Sequence, residues 1–543
     1  MTVYSNSTKM HGVPGNFATA TPVDNGMQKP SLLNVGDFSN GGSEVKAAAK
    51  WNDVPFAILF WAHFALIAGI GFTSGIAEIQ GTVEDASELD HKVVVENNTS
   101  GVGGDVIGGI VVCVLCGIVF SLLYVKLAIS MGENLIHVGT KFQIGLFFFF
   151  GLIFMMSGST IGGILCFICM AITMCWYRAV QSRIPFAGAN LSVACSSIKN
   201  FPTIFFVNFA CLIASFVWMM VWSLAMIGIV KPSQSVGVET DSGVFDSRMC
   251  TDFPYDGTTA ECTQETTGCC YCDASSLSDT DTATGWKQDS CVPTETMDQL
   301  TYFGMLISFY WGSTVVSNVM HCVVAGTVAT WWFKHDAGSS PVFDSFYRAM
   351  TTSFGSICLG SLLVAILKAI RQMLREAEKN KNAQVFLCVI QCLLGCVESL
   401  LEYFNRYAFC YVAIYGYDFK TAGRSVFDLF KKLGWTTIIN DDLIETALSF
   451  GCVGTGFLTA LVGWLFGHAI GVDSQYLLFM FIGGFISGFS MAQITLNVIS
   501  SAVATVFVCF AENPASLGQI HPQESATLIG AWRQFHGDLC SFA

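Results

Sequence analysis

Long apolar runs separated by short polar segments dominate the chain. An α-helix needs about 20 apolar residues to cross the hydrocarbon core of a bilayer, and uncharged windows of about that length recur after residue 53. The pattern predicts spans near residues 54–76, 106–129, 138–157, 159–178, 203–230, 300–333, 351–369, 385–416, 442–470 and 476–510. The predicted fold class is therefore all-α, a polytopic membrane bundle of about ten transmembrane helices.

Polar segments flank this membrane domain, which we place at residues 51–514. Residues 1–50 are rich in Gly, Ser and Asn and carry no apolar run, so we interpret them as a disordered cytoplasmic tail without a cleaved signal peptide. Lys46 and Lys50 precede the first span, and basic flanks favour the cytoplasmic side. Residues 515–543 are predicted to form a cytoplasmic C-terminal tail.

Two acidic loops, near residues 79–105 and 231–298, are predicted to lie outside. Asn97 and Asn98 of the first loop begin overlapping glycosylation acceptor sequences, which matter only on the lumenal or external side. The second loop holds six cysteines: Cys250, Cys262, Cys269, Cys270, Cys272 and Cys291. An even number of cysteines on an oxidising side predicts up to three disulfides, and the pairing stays open among fifteen possibilities. Zinc bound by the central three cysteines is the alternative, although an adjacent Cys pair is poor ligand spacing.

Composition supports the membrane class and limits the function. Apolar residues make up 52% of the chain and charged residues 12%, and the mean hydropathy is +0.55. The net charge of −14 is concentrated in the two external loops, and nothing in the sequence suggests nucleic acid as a partner. No His-rich metal box, nucleophile motif or phosphate-binding loop is present, so we predict no metal, no cofactor and no enzymatic activity.

Charged residues occur where the eighth span should be apolar. Glu398, Glu402 and Arg406 recur every four residues, which places them on one helical face and predicts a pair between Glu402 and Arg406. Charges at membrane depth persist mainly where they face protein or water. Two interpretations stay open, namely a structural ion pair at the cytoplasmic border and a polar path through the bundle.

Five basic residues after the seventh span conflict with a simple topology: Lys368, Arg371, Arg375, Lys379 and Lys381. Ten spans place them outside, whereas basic residues usually stay in the cytoplasm. Either that helix is long and bent, or one of the segments near 351–369 and 385–416 does not cross fully. Small residues four apart, Ser356 with Gly360 and Gly484 with Gly488, predict close helix packing.

The sixth span combines aromatic rings with hydrogen-bonding groups. Phe309, Tyr310, Trp311, Asn318 and His321 lie in its middle. A quaternary ammonium ion cannot lose its charge or donate a hydrogen bond from nitrogen, so a site for it needs aromatic faces. The alternative is an aromatic helix that packs in the core.

Several motifs, taken in their order along the chain, resemble those of the choline transporter-like protein family (solute carrier 44 type). The motifs are FYWGSTVVSNVMHCVVAGTVATWWF, FGSICLGSL and NRYAFCYVAIYGYDFKTAGRSVFDLF. WNDVPFAILFW and AVATVFVCFAENP resemble the beginning and end of its fungal Pns1-type branch. The resemblance covers Trp51 to about Pro514 and implies about ten spans, cytoplasmic termini, and transport of choline or related amino alcohols, often in exchange for protons. Animal members typically carry Asp where Ala504 and Asn513 stand, so any coupling role of the first Asp does not transfer.

The function expected from the resemblance is potential-driven transport of choline or a related small organic cation at the plasma membrane, with an internal membrane as the alternative. The expected partners are this cation and membrane lipid, and the oligomeric state is not predicted. Candidate substrate contacts are Trp61, Tyr310, Trp311 and Asn318, with Glu398 and Glu402 as counter-charges. Transport of a different solute, and a scaffold that transports nothing, are the alternative functions.

Overall fold

The fold is a bundle of long helices. The computed structural model describes residues 50–77, 79–80, 102–234, 239–240, 243–244, 262–265, 269–272, 299–334, 340–377, 384–433, 435–471 and 474–536. Its helices are α1 (Val54–Ile70), α2 (Val102–Met156), α3 (Thr160–Val180), α4 (Ile184–Lys199), α5 (Thr203–Gln234), α6 (Gln299–Phe333), α7 (Pro341–Met350), α8 (Phe354–Ala377), α9 (Gln384–Tyr415), α10 (Phe419–Leu433), α11 (Trp435–Ala469), α12 (Ser474–Glu512), α13 (Pro514–Ile520) and α14 (Pro522–His536).

Two short antiparallel hairpins lie in the long loop between α5 and α6. Strand β1 (Glu239–Thr240) pairs with β2 (Gly243–Val244), and β3 (Cys262–Glu265) pairs with β4 (Cys269–Cys272). Cys262 stands opposite Cys272 in the register of the second hairpin.

The modification sites predicted for the external loops lie beyond what the structure describes. The side chains of the β3–β4 cysteines are outside the described part, as are Cys250, Cys291, Asn97 and Asn98 entirely. The disulfides and the glycosylation therefore stay predictions.

Eight stretches of the described residues are long and apolar enough to cross a membrane. They are Val54–Gly75, Val111–Met156, Thr160–Lys199, Thr203–Ile229, Gln299–Phe333, Phe354–Glu376, Ile439–Ala469 and Leu477–Glu512. This pattern confirms the predicted all-α polytopic membrane fold, because backbone groups in hydrocarbon must be satisfied within the helix itself.

Helix α2 bends sharply at Met131, whose φ of −137° and ψ of 30° are not helical. The Tyr124 hydroxyl donates to the carbonyl of Ala447 at 2.6 Å, and the Phe142 ring lies 5.1 Å from the Phe450 ring. A straight helix would separate residues 124 and 142 by about 27 Å, yet both lie beside the same turn of α11. The two halves of α2 therefore correspond to the second and third predicted spans.

Two ion pairs join α8 to α9. Lys368 Nζ lies 2.7 Å from Glu402 Oε1, and Arg371 Nη1 donates to Glu398 Oε2 at 2.8 Å. From the first ion pair to the second, the residue number increases on α8 and decreases on α9, so the two helices run antiparallel. Lys368 and Arg371 are two of the five basic residues that conflict with a simple topology. Carboxylates of the predicted eighth span neutralise their charges. The predicted pairing of Glu402 with Arg406 is wrong, because the neighbouring helix supplies a nearer cation.

The start of α1 is fastened to two other helices. The Asn52 side chain donates to the carbonyl of Gly416 at 2.7 Å, at the break between α9 and α10. The Asp53 carboxylate accepts hydrogen bonds from the Ser356 hydroxyl at 2.7 Å and from the backbone N–H of Phe419 at 2.9 Å. Asp53 caps the first turn of α10 in this way, while its own φ of 51° is left-handed. We call these two residues the Asn52–Asp53 anchor.

The C-terminal segment forms helices α13 and α14, which pack against the bundle. Asn513 caps α13 by accepting from the backbone N–H of Ser516 at 3.3 Å. The Trp532 ring lies 5.0 Å from Phe186 of α4 and 5.4 Å from Phe510 of α12. Residues 514–536 are therefore continuous with the bundle.

The predicted close packing at Gly484 and Gly488 is confirmed. A Cβ atom at Gly484 would lie 2.8 Å from the Thr459 carbonyl oxygen of α11, and one at Gly488 would collide with the buried Thr459 side chain. Gly117 of α2 faces Gly488 from the other side, since its Cβ would lie 3.1 Å from the Gly488 Cα. Only small residues let α2, α11 and α12 approach this closely.

We predict that Gly488→Ala destabilises the bundle by about 1–3 kcal/mol, because the added methyl group must displace Thr459. The thermal unfolding midpoint of purified protein, followed by fluorescence-detected size exclusion, measures the effect. Gly483→Ala is the matched control, since no atom from another described helix lies within 4 Å of its Cβ position. Equal midpoints for the two variants would contradict the packing described here.

We also predict that Glu398→Gln destabilises the protein more than Glu402→Gln. The Glu398 side chain is 12% exposed and that of Glu402 is 44% exposed. Loss of the first pair leaves the part-buried Arg371 without a counter-charge and costs about 2 kcal/mol, whereas the exposed pair contributes below about 1 kcal/mol.

The same unfolding measurement, with the Arg371→Gln/Glu398→Gln double variant, tests this prediction. Removal of both charges should recover part of the stability that the single variant loses. A double variant that is no more stable than Glu398→Gln would show that the pair does not matter.

Candidate functional site

Trp311 of α6 is the centre of an aromatic cluster formed with Phe60, His63 and Trp218. The buried indole donates from Nε1 to the carbonyl of Cys358 at 3.0 Å. The Phe60 ring meets it edge-on at 5.2 Å, and the His63 ring lies 5.1 Å away. The Trp218 ring lies 5.5 Å from the His63 ring. The cluster therefore joins α1, α5 and α6, with α8 beside it.

His63 brings a polar group into these rings. Its Nε2 lies 2.7 Å from the Ser308 hydroxyl, and its buried Nδ1 makes no hydrogen bond of normal geometry to a described residue. The cluster thus presents ring faces together with one uncommitted nitrogen, and none of its side chains bears a permanent charge. Such a surface can accept a cation through ring faces or form a hydrogen bond to a small polar group.

The other sequence-predicted contacts surround this cluster unevenly. Trp61 is 51% exposed, and it reaches the cluster through Phe60, at 5.9 Å. Tyr310 packs against Phe309 at 5.4 Å. Asn318 lies farther along α6 and donates to the Ser361 hydroxyl at 2.8 Å. The structure therefore brings Trp61 and Trp311 near one another, and it uses Asn318 to join α6 to α8.

The two predicted counter-charges already have partners. Glu398 and Glu402 form the ion pairs with Arg371 and Lys368 described above. A carboxylate that neutralises a fixed guanidinium or ammonium group offers little net charge to a second cation. Their geometry therefore supports a structural role at the α8–α9 contact.

Arg406 of α9 organises a second polar region, which we call the Arg406 network. Its guanidinium donates to Glu445 Oε1 at 2.8 Å and to the carbonyl of Ser500 at 2.8 Å. The carbonyl of Arg406 itself accepts from His321 Nε2 at 2.8 Å, so His321 Nδ1 is the acceptor for the Ser501 hydroxyl at 2.9 Å. One residue thus links α6, α9, α11 and α12.

Asp441 of α11 lies beside this network and is 3% exposed. Its Oδ2 accepts from the Tyr407 hydroxyl at 2.6 Å, whereas its buried Oδ1 makes no hydrogen bond of normal geometry to any described residue. The Tyr403 hydroxyl, which is also buried, lies beside Asp441 and likewise makes no hydrogen bond of normal geometry within the described part of the chain. Arg406 forms its 2.8 Å ion pair with Glu445, and its positive charge also acts on the nearby Asp441.

The Tyr407 ring, whose hydroxyl donates to this carboxylate, packs with two further aromatic rings. Tyr403 and Tyr407, one turn apart on α9, have ring centroids 5.3 Å apart. Phe430 of α10 stacks on Tyr403 at 5.8 Å and meets Tyr407 at 5.6 Å. We call Asp441, Tyr403, Tyr407 and Phe430 the carboxylate–tyrosine cluster. A negative charge beside ring faces is a chemical environment suited to an organic cation.

Sequence analysis missed Asp441 because it began the ninth span at residue 442 and so assigned Asp441 to a loop, and it did not single out Glu445 within that span. A signal was present, since the two acids are four residues apart at the head of an apolar run. Tyr403 and Tyr407 have the same spacing on α9, and only the fold brings the two helices together. Within the described ranges, no group of three or more His, Cys, Asp or Glu side chains could hold a metal ion.

Comparisons with known proteins agree with the motifs. The model of the family described as the plasma-membrane choline transporter matches residues 164–515. A CTL-like protein of Dictyostelium discoideum is 27% identical over 503 residues, which cover 90% of this chain and 76% of that protein. The protein PNS1 of Saccharomyces cerevisiae is 25% identical over 552 residues, covering 97% and 89% of the two chains. PNS1 of Gibberella zeae is 35% identical over 227 residues, covering 40% and 42%.

The family match covers well over half of the 543 residues. It includes Trp311, Arg406 and Asp441, and the alignment with the Saccharomyces protein extends over nearly the whole chain. Together with the membrane fold, these findings confirm the family that the motifs predict. The chain belongs to the plasma-membrane choline transporter family.

Proposed function

We propose that this protein carries choline or a related small organic cation across a membrane. The observation that supports the proposal is the aromatic cluster around Trp311, where rings from three membrane helices converge. A quaternary ammonium ion offers no N–H to a hydrogen-bond acceptor, so ring faces are its main means of recognition. Each face contributes roughly 0.5–2 kcal/mol, depending on how fully the contact is desolvated.

The membrane potential is the proposed driving force. A single positive charge gains about 2.3 kcal/mol per 100 mV on moving inward. That energy corresponds to roughly fiftyfold accumulation, because about 1.4 kcal/mol is a tenfold ratio. Exchange for protons is a further part of the proposal, and the uncommitted Nδ1 of His63 beside Trp311 makes this histidine its candidate carrier.

The plasma membrane is the proposed location. The support is the character of the two predicted external loops, one with glycosylation acceptors and one with six cysteines. Residence in an internal membrane is the alternative, since the lumenal side of the secretory pathway offers the same oxidising conditions.

Replacement of Trp311 tests the proposal. We expect Trp311→Ala to lower saturable uptake of labelled choline by about tenfold or more, because the indole is the central ring of the cluster. Trp311→Phe keeps a ring face and should retain more uptake. The assay compares choline-transport-deficient cells that display each variant at equal surface level.

Two control variants accompany this assay. Trp464→Ala removes a tryptophan that is 39% exposed and stacked on His468, and Glu402→Gln removes an ion pair at the surface of the bundle. Both should transport like the unaltered chain. Uptake that survives Trp311→Ala would contradict the role of the cluster. No uptake by a folded, surface-displayed protein would favour another solute or the scaffold function.

The potential dependence is tested separately in proteoliposomes. With a potassium gradient and valinomycin, a potential of 100 mV, negative inside, should accumulate labelled choline roughly fiftyfold at zero proton gradient. Reversal of the gradient should abolish accumulation. Accumulation that follows an imposed pH difference and ignores the potential would instead identify electroneutral exchange with protons.

A further inference from the structure

A transported cation needs a counter-charge that is not already committed. The sequence pointed to Glu398 and Glu402, and both are paired with basic residues of α8. Glu445 is paired with Arg406. Asp441 differs from these three, because among the described residues it has no ion-pair partner, and its buried Oδ1 makes no hydrogen bond of normal geometry to them.

We propose that Asp441 is the counter-ion for the organic cation, which binds within the carboxylate–tyrosine cluster. The proposal rests on the proposed function and gives it a specific site and ligand class, a small quaternary or tertiary ammonium ion with a hydroxyl group. The ammonium group faces Asp441 Oδ1 and the rings of Tyr403 and Tyr407, and the Tyr403 hydroxyl, which lies beside Asp441, binds the hydroxyl group of the substrate.

The charges around Asp441 support this assignment. Arg406 contributes one positive charge, while Asp441 and Glu445 contribute two negative charges, so the three together carry one uncompensated negative charge. Removal of a carboxylate oxygen from water without a replacement partner is strongly unfavourable. A ligand of charge +1 supplies both the missing partner and the missing charge.

Arg406 is not free to supply that partner. Its guanidinium donates to Glu445 Oε1, to the carbonyl of Ser500 and to the Ser500 hydroxyl. Rotation toward Asp441 Oδ1 would break these bonds, and Glu445, whose side chain is 57% exposed, would lose its cation. The Arg406 network therefore fixes the guanidinium on Glu445 and Ser500, and its charge acts on Asp441 without a direct ion pair.

The position of the carboxylate is fixed in advance. The Tyr407 hydroxyl holds Oδ2 at 2.6 Å, and this bond leaves Oδ1 on the other side of the carboxylate. Tyr407 is itself fully buried, and its ring is in contact with Tyr403 and Phe430. A fixed charge surrounded by fixed rings loses little conformational freedom when a ligand binds.

Binding to the purified full-length protein in lipid nanodiscs tests the assignment. Three probes compete with labelled choline: unlabelled choline, tetramethylammonium, and 3,3-dimethyl-1-butanol, the neutral isostere of choline. Asp441→Asn should lower the affinity for both cations by about tenfold or more, because it removes the charge. It should change the affinity for the neutral alcohol by less than about twofold. Asp442→Asn, at the exposed neighbouring carboxylate, should leave all three affinities unchanged.

The rings are tested in the same assay. Tyr403→Leu should lower the affinity for the cations several-fold, whereas Tyr403→Phe, which keeps the ring, should lower it less. Protection from a hydrophobic carbodiimide gives a measurement on the unaltered chain that does not depend on the folding of a variant. Choline should slow the labelling of Asp441, as mapped by mass spectrometry, and 3,3-dimethyl-1-butanol should not.

The outcomes separate this inference from the proposed function. If the unaltered protein neither binds nor transports choline or tetramethylammonium, the proposed function fails and the inference fails with it. If choline binds and Asp441→Asn binds it equally well, or Asp441 is not protected, the proposed function stands and the counter-ion assignment is wrong. A variant that changes proton movement but keeps full choline affinity would make Asp441 a proton site and would equally overturn the assignment.

Discussion

The arrangement of the helices depends on hydrogen-bond acceptors for one guanidinium group inside an apolar bundle. Arg406 cannot lose its charge, and its fork of donors needs acceptors in fixed directions. Glu445 of α11 and Ser500 of α12 supply those acceptors. His321 of α6 donates a hydrogen bond to the backbone carbonyl of Arg406. These bonds set the relative register of four helices. A sliding motion of any one of them by a single turn would leave a buried charge or carbonyl unsatisfied.

Helix α6 connects the two proposed places of cation contact. Trp311 and His321 are ten residues apart, which corresponds to about 15 Å along the helix axis. The first belongs to the aromatic cluster and the second to the Arg406 network, next to Asp441. The proposed path therefore begins with ring faces of low charge and continues to a fixed carboxylate. An ion could move between two such contacts without being held too tightly at either.

Local composition determines what the sequence could predict. The spans, the close approach of α11 and α12 at Gly488 and the importance of Trp311 follow from residue types within a single segment. The ion pairs of α9 could not be predicted in this way. Spacing by four favours a bond between Glu402 and Arg406, but Lys368 and Glu445 on other helices lie closer, and only tertiary packing brings them there. Asp441 was missed for the same reason, since its burial is produced by α9 and α10 rather than by its own neighbours in sequence.

The Asn52–Asp53 anchor has a consequence for biogenesis. The Asp53 carboxylate caps α10 across 366 positions of the chain, so this bond can form only after the ribosome has made most of the protein. Until then the start of the first span is not bound to α10, and the first turn of α10 lacks the hydrogen-bond acceptor that Asp53 supplies. The N-terminal border of the membrane domain is thus among the last parts to be completed. A shortened chain that begins after residue 53 would lack a closing contact of the whole assembly and not merely a tail.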